Sequence, residues 1–418
     1  MIIIIYICFI IFNKTIEIKR NIKFVPSIIT TGDISLSPYL NSITFSLPSI
    51  EIQAGDSNQL YSLILDTERI DSYIGNNSFF NKRISSANLE KSEYLTSRDS
   101  IVEGPVFKGK FNLLGFNVSS EFSFGIMNEF IINDNFPKTF RMNNIVLGYD
   151  GKLGLFRSYE FYYGLSCHYN SYIHNLQYNK IISKKIFSIE LNEQYRNNYF
   201  YLDNSINLNE TNSHICLSTS NDHPFWYCNV QGFIVNNKAS KSKIIQTNHR
   251  NQIALVTTTF PFISAPYDEA KVIIDKIISV LIEKGNKCEL IENRRGDFKF
   301  LKCDNNKGIN SFTFSFVIDS DSILNVTEKE LFYIGKDKLT RKTFYICKFI
   351  LTNNIYLWRM GTPLLMNKRV TFDMEQYKIY FEEINTKGNY VLKVIYIEIS
   401  LMLIVGIVIF ILSKGGFK

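Results

Sequence analysis

The stretches LILDTERIDSYI (residues 63–74) and IALVTTTFPFIS (residues 253–264) decide the fold, because they share one pattern. Each runs through apolar or small residues, then a short polar triplet, and then further apolar residues. About half of the main body separates the two copies, which is the spacing expected of an internal duplication. The repeat therefore predicts two similar lobes, each of which brings its polar triplet to a shared central cleft.

The chain around these two stretches is rich in short strand-like segments separated by Asn, Gly and Asp turns. The clearest segments are SITFSL, YSLILD, GKFNLLGFNV, EFSFGIM, NYFYLD, ALVTTTF, SFTFSFVI, KTFYICKFIL and RVTFDM. Only residues 172–187 and 265–285 break the alternation, and the second has the apolar spacing and the Gly stop of an amphipathic helix. An all-β body results. Periodicity alone fits a β-sandwich, a propeller or a bilobal protein, and the duplication favours the bilobal one.

Composition limits the classes of partner. The 418 residues suffice for two domains with short appendages, and 45% hydrophobic with 20% charged residues is typical of a globular protein. The net charge of +7 is mild, and no Lys/Arg stripe with interleaved aromatic residues occurs. We therefore expect no nucleic-acid partner.

Both ends of the chain are apolar, in different ways. Ile2–Phe12 has the length of a signal-peptide core, so residues 1–14 are interpreted as a leader. Residues 394–413 form an apolar run long enough for one transmembrane helix, and the lysines of the tail, residues 414–418, place that tail in the cytosol. A single-pass type I protein of the secretory pathway or cell surface is predicted, with its body lumenal or extracellular. A lipid-anchor signal is the alternative.

Cysteines and sequons are compatible with that compartment. Apart from Cys8 in the leader, six cysteines allow fifteen pairings, and they are Cys167, Cys216, Cys228, Cys288, Cys303 and Cys347. N-glycosylation sequons begin at Asn13, Asn76, Asn117, Asn209 and Asn325. No CxxC or HExxH pattern involves the cysteines or the five histidines, so no metal site and no cofactor are predicted.

The repeated triplets resemble the pepsin family of aspartic proteases, whose two lobes each carry an apolar-apolar-Asp-Thr-Gly loop. The two copies here read Leu65-Asp66-Thr67-Glu68 and Val256-Thr257-Thr258-Thr259. The resemblance implies that Asp66 is the retained first catalytic aspartate and that Thr257 stands where the second is missing. It also implies that Thr67 and Thr258 support the two loops.

Further segments resemble the family in the expected order. They are residues 143–155 behind the first loop, 178–191 between the lobes, 264–277 after the second loop and 360–381 as closing strands. The resemblance implies lobes at 30–190 and 191–385, and a second-lobe disulfide between Cys303 and Cys347. SRDSIVEG (residues 97–104) is similar to the family's flap, which makes Ser97, or Tyr94 in a shifted alignment, the residue that contacts substrate.

The threonine at position 257 predicts impaired catalysis. The family's chemistry needs two carboxylates that share one proton, and a threonine hydroxyl cannot take that role. Arg69, next to the first triplet, is a candidate ion-pair partner for Asp66. We expect a cleft that holds an extended peptide without cleaving it. The alternatives are an active endopeptidase that combines Asp66 with Glu68 or Asp268, and a β-rich receptor or adhesin unrelated to peptidases.

Overall fold

The structure is a computed structural model of the chain, and some segments of it are described residue by residue. The described residues are 18–26, 46–54, 60–68, 72–75, 88–96, 100–113, 120–127, 129–132, 138–141, 151–155, 171–192, 198–203, 213–217, 225–237, 245–246, 252–292, 298–309, 312–318, 322–336, 340–352 and 357–384. The chain divides into a large compact unit, residues 1–382, and a C-terminal unit, residues 383–418.

The N-terminal sheet contains ten of the described strands. They are β2 (Lys23–Pro26), β3 (Ser46–Ala54), β4 (Leu60–Asp66), β5 (Tyr73–Gly75), β6 (Asn88–Thr96), β7 (Ser100–Leu113), β8 (Ser120–Met127), β9 (Glu129–Ile132), β10 (Lys138–Arg141) and β11 (Gly151–Gly154). The order is β10-β9-β7-β8-β5-β11-β4-β3-β2, with β6 paired to β7. Strand β4, which carries the first triplet at its end, is flanked by β3 and β11.

The C-terminal sheet contains eleven of the described strands. They are β15 (Tyr227–Asn237), β16 (Ile245–Gln246), β17 (Gln252–Val256), β18 (Ile263–Ser264), β19 (Cys288–Glu292), β20 (Phe298–Cys303), β21 (Phe312–Ile318), β22 (Ile323–Thr327), β23 (Phe332–Lys336), β24 (Thr343–Thr352) and β25 (Trp358–Met360). The order is β19-β20-β24-β18-β25-β17-β15-β21-β22, with β16 on β15 and β23 on β24.

A third sheet joins distant parts of the chain. Its strands are β1 (Ile18–Asn21), β12 (Ile186–Leu191), β13 (Tyr199–Leu202), β14 (Ser213–Leu217), β26 (Lys368–Asp373) and β27 (Lys378–Glu383). They lie in the order β1-β13-β12-β26-β27-β14, and Ile186 of β12 stands opposite Asp373 of β26. The all-β prediction is confirmed for the described body. The division into lobes at 30–190 and 191–385 stays a prediction.

Four short or medium helices are described: α1 (Tyr172–Tyr178), α2 (Tyr267–Glu283), α3 (Glu328–Leu331) and α4 (Thr362–Leu365). Helix α2 confirms the helix predicted at 265–285. Two acidic residues occupy its first turn, where the helix dipole favours negative charge, and the chain leaves it at Gly285, whose φ of +78° suits glycine. Helix α1 covers only the start of the stretch 172–187, whose last residues enter β12.

Strands β4 and β17 lie in equivalent settings, which confirms the duplication at the level of topology. Parallel β11 pairs with β4, and antiparallel β5 follows it. Parallel β25 pairs with β17, and antiparallel β18 follows it. The outer neighbours β8 and β24 are again parallel to β5 and β18. Each polar triplet therefore leaves the end of a strand buried inside a sheet.

Buried polar contacts fix strand β25 against its surroundings. The Glu269 carboxylate, buried in the first turn of α2, accepts the indole N–H of Trp358 at 2.7 Å. The Gln252 amide of β17 also donates to Glu269. Gly361, just after β25, approaches the backbone so closely that an added Cβ would lie 2.1 Å from the Phe260 carbonyl oxygen. No side chain larger than hydrogen fits there without moving the backbone.

The disulfide predicted between Cys303 and Cys347 is wrong. Cys303 of β20 bonds to Cys288, which stands directly opposite it on β19. On the other side of β20, the residue opposite Cys303 is Tyr345, so Cys347 lies two residues further along β24. Burial raises the pKa of the free Cys347 thiol to about 12. A second disulfide joins Cys216 and Cys228, whereas Cys167 lies outside the described residues.

Within the described part of the chain, no helix has the length and apolar character needed to cross a bilayer. The predicted transmembrane helix at 394–413, the tail at 414–418 and the leader at 1–14 all lie outside the described residues.

Candidate functional site

Asp66 is the last residue of β4 and is almost fully buried, with 1% of its surface exposed. One carboxylate oxygen, Oδ1, accepts the backbone N–H of Glu68 at 2.9 Å. The other, Oδ2, accepts a hydrogen bond from the ammonium group of Lys152 at 2.9 Å. The negative charge of Asp66 is therefore balanced by the ammonium of Lys152, a partly buried residue of the neighbouring strand.

Lys152 reaches Asp66 because β11 runs parallel to β4. The register places Lys152 opposite Ile64, two residues before Asp66 and on the same face of the strand. Neither the duplication nor the family resemblance points to Lys152. The sequence nevertheless contains an indication of its role, because a lysine interrupts the apolar stretch GKLGL. An unpaired charge in a buried strand costs free energy, so this lysine needs an acidic partner. Arg69, the candidate partner from sequence, lies outside the described residues.

Thr67 and Thr258 lock the two loops together. The backbone N–H of each threonine donates to the hydroxyl of the other, and both distances are 3.2 Å. The hydroxyls then donate onward, Thr67 to the Val256 carbonyl at 3.3 Å and Thr258 to the Leu65 carbonyl. Both side chains are fully buried. This arrangement brings the two polar triplets to one place, as the duplication predicts.

Thr257 occupies the second-loop position that corresponds to Asp66. It is fully buried, and its hydroxyl lies 3.1 Å from the hydroxyl of Thr259. The Thr259 hydroxyl in turn donates to the Glu68 carboxylate at 3.3 Å. A chain of polar contacts thus runs from Thr257 across to the first loop, with a carboxylate at its far end.

Glu68 also faces a cation, and that cation comes from the C-terminal sheet. Nη2 of Arg359 lies 3.6 Å from Oε2 of Glu68. The Arg359 guanidinium also stands over the ring of Phe260, 5.3 Å from its centroid, which favours a cation. The two ion pairs of the site, Asp66 with Lys152 and Glu68 with Arg359, together carry no formal net charge.

The other candidate residues are placed as follows. Tyr94 lies in β6, opposite Glu103 of β7, so residues 100–104 of the flap-like segment belong to a strand that pairs antiparallel with β6. The Tyr94 side chain and Ser97 lie outside what the structure describes. Asp268, considered above as a second acid, is exposed in the first turn of α2. Glu68 is the acid that shares the site with Asp66.

The paired strand-and-triplet units, joined through Thr67 and Thr258, define a β-rich protein of the aspartic-protease class. Residues 49–384 match the family model described as eukaryotic aspartyl protease, which covers most of the 418 residues. The chain belongs to the eukaryotic aspartyl protease family. The comparison with curated proteins returns no match.

Proposed function

We propose that this chain is a catalytically impaired aspartyl protease homologue that holds extended peptide segments in its cleft. One observation carries the proposal: the single retained aspartate, Asp66, is ion-paired with Lys152 at 2.9 Å, and Thr257 stands at the equivalent position of the second loop. The first carboxylate is therefore engaged by a cation, and the second position has no carboxylate with which to share a proton.

The physical reason is the mechanism of the family. Two carboxylates close together hold one proton between them, so that one can accept a proton from water while the other donates one. In this site the partner of Asp66 is an ammonium group, which makes proton sharing unnecessary. The Thr257 hydroxyl does not titrate in the range where a carboxylate works. Residues that act as a unit lose activity together, so we expect a rate loss on the order of 10⁴ or more.

Peptide binding does not depend on the carboxylate pair. An extended peptide is held by backbone hydrogen bonds and by pockets for alternate side chains. The Thr67–Thr258 contacts keep the two loops in place, and strands β6 and β7 pair antiparallel. A cleft can therefore persist after catalysis is lost.

The test combines a turnover assay with a binding assay. The full chain and its Asp66→Ala variant are incubated with an unstructured protein substrate between about pH 3 and 6, where the family's chemistry operates. We expect equal, background-level cleavage by both proteins, and saturable binding of extended peptides by the parent chain. Turnover that Asp66→Ala abolishes contradicts the impairment, and the absence of binding across a broad peptide library contradicts the holding role.

A second candidate function is supported by the position of Glu68. Its carboxylate contacts the Thr259 hydroxyl, which contacts Thr257, so a carboxylate does lie near the second loop. An active endopeptidase would use Asp66 and Glu68 as its two acids. This alternative requires measurable turnover by the parent chain. It also requires that each single variant, Asp66→Ala and Glu68→Gln, eliminates that turnover. The unrelated receptor or adhesin is disfavoured by the family match.

We further propose that residues 394–413 anchor the protein in a membrane, with its body lumenal or extracellular and residues 414–418 cytosolic. The apolar run and the lysines after it support this topology. Removing residues 394–418 is expected to release the protein into the medium, and phospholipase release of the intact chain would instead indicate a lipid anchor. Asn325, exposed on β22, offers a glycosylation readout: Asn325→Gln should remove one glycan.

A further inference from the structure

The Glu68 side chain joins the first loop to two residues of the C-terminal part of the chain. Its Oε1 accepts a hydrogen bond from the Thr259 hydroxyl at 3.3 Å. Its Oε2 lies 3.6 Å from Nη2 of Arg359. Thr259 belongs to the second loop and Arg359 to strand β25, so one carboxylate connects the first loop to both of them.

These contacts lie one residue beyond those between Thr67 and Thr258. Both pairs, Thr67 with Thr258 and Glu68 with Thr259, are separated by 191 residues, so they join equivalent positions of the two loops. The threonine contacts are hydrogen bonds between neutral groups, whereas Glu68 adds an ion pair with Arg359. The two loops are therefore held together at two consecutive positions, by two different kinds of interaction.

The ion pair is largely buried. The side chains of Glu68 and Arg359 are 7% and 16% exposed, and salt screens such a pair less than a pair on the surface. The Arg359 guanidinium also lies 5.3 Å from the centroid of the Phe260 ring, and Phe260 directly follows Thr259. Removing one partner of a buried ion pair leaves the other charge uncompensated, which strongly destabilises a fold.

The same residue contacts the retained aspartate. The backbone N–H of Glu68 donates to Oδ1 of Asp66 at 2.9 Å. The contacts of the Glu68 side chain with Thr259 and Arg359 restrict the position of this backbone as well. Residues of the second loop and of β25 therefore help to orient the Asp66 carboxylate, although they follow it by nearly 200 residues or more.

We propose that Glu68 and Arg359 form a charged lock between the two loops, which couples the local opening of each loop to that of the other. Thr259 belongs to the lock as the hydroxyl that fixes Oε1 of Glu68. The lock needs no bound peptide, so it stands apart from the proposed peptide-holding function. Without it, each loop is expected to open more often, even when the changed residue lies on the opposite loop.

Hydrogen exchange of the full chain, followed by mass spectrometry at about pH 7, tests this coupling. Glu68→Gln is expected to speed exchange of residues 252–260 at least about three-fold, because the second loop loses its charged partner on the first. Arg359→Met is expected to do the same for residues 60–68. Strand β21, Phe312–Ile318, should keep its rate, which separates a local coupling from a general loss of stability.

A doubly neutralised variant guards against misfolding of the single ones. Glu68→Gln combined with Arg359→Met leaves neither charge alone, and it should still exchange faster than the parent chain in both loops. Lys23→Gln, which removes an exposed ion pair with Glu51 from the N-terminal sheet, is the control and should leave the exchange of residues 252–260 unchanged.

Urea unfolding of the same variants measures the interaction itself. The double variant should lose less stability than the sum of the two single losses, with a coupling of at least about three-fold in the unfolding equilibrium constant. Additive losses would show that Glu68 and Arg359 do not interact. The lock is also wrong if each single variant speeds exchange only in its own part of the chain, or if the double variant exchanges like the parent.

Discussion

Restoring the second aspartate by Thr257→Asp tests the role assigned to Lys152. If the missing carboxylate were the only defect, this single change would recover proteolysis. The structure predicts that it will not, because Asp66 would still be paired with the Lys152 ammonium at 2.9 Å. Replacing Lys152 with leucine in the same chain removes that ammonium and leaves Asp66 to share a proton with the new Asp at 257.

The size of the effect follows from the ion pair. At an effective dielectric constant of about 20, unit charges 2.9 Å apart attract by about 6 kcal/mol. Desolvation of both ions offsets several kcal/mol of this, so the net contribution is closer to the roughly 1.5–3 kcal/mol of a hydrogen bond to a charged group. At about 1.4 kcal/mol per factor of ten, removing this ion pair from the Thr257→Asp chain should raise kcat/KM by about 10- to 150-fold.

The assay compares kcat/KM of Thr257→Asp alone with that of Thr257→Asp combined with Lys152→Leu, on a quenched-fluorescence peptide under acidic conditions. Asp66→Ala added to the double variant provides the inactive control. We expect the double variant to be at least about ten-fold more active than the single one. Equal activity of the two, or background activity in both, would refute the claim that Lys152 is the obstacle.

Three further predictions concern stability and chemistry away from the ion pair. Gly361→Ala forces a Cβ to within 2.1 Å of a backbone oxygen, so the melting temperature should fall by several degrees at an overpacking cost of about 1–3 kcal/mol, and an unchanged thermal transition would contradict the close approach. Cys347 is buried and its pKa is raised to about 12, so it should resist iodoacetamide in the native protein at pH 8 and react after denaturation. Cys288 should be recovered in a disulfide-linked peptide. Rapid labelling of Cys347 in the native protein would contradict its burial. Thr67→Val and Thr258→Val should each destabilise the fold by about 1–3 kcal/mol, and because their hydrogen bonds are shared, the double variant should lose clearly less than the sum in urea unfolding, whereas additive losses would show that the two threonines do not interact.

The sequence predicted the parts of the site that the duplication encodes locally. Asp66, Thr67, Thr257 and Thr258 sit in two short stretches with one shared pattern, so their meeting at one place could be foreseen. The prediction used strand periodicity and the repeat, both of which are visible within a few residues.

The ion pairs could not be predicted in the same way. Lys152 meets Asp66 only because of a parallel register between strands far apart in sequence, and no local pattern specifies that register. The same holds for Arg359 and Glu68. Basic residues inside the apolar strands GKLG and WRM were a visible anomaly, yet the partner of each depended on the tertiary fold.

The disulfide prediction failed for a related reason. Spacing along the chain leaves several cysteine pairings open, and the choice depends on which residue stands directly across the strand pair. Cys288 holds that position opposite Cys303, and Cys347 does not. The family resemblance correctly placed Cys303 in a disulfide but assigned it the wrong partner.

The third sheet has a consequence for biosynthesis. Its two central strands, β12 and β26, pair Ile186 with Asp373, so the sheet cannot close until nearly the whole body has left the ribosome. At about 5–20 residues per second, the earlier strand waits on the order of ten seconds or more for its neighbour. During that interval its edge is unprotected, and strands in this state are prone to aggregate, so we expect nascent copies of this protein to need chaperones until translation is almost finished.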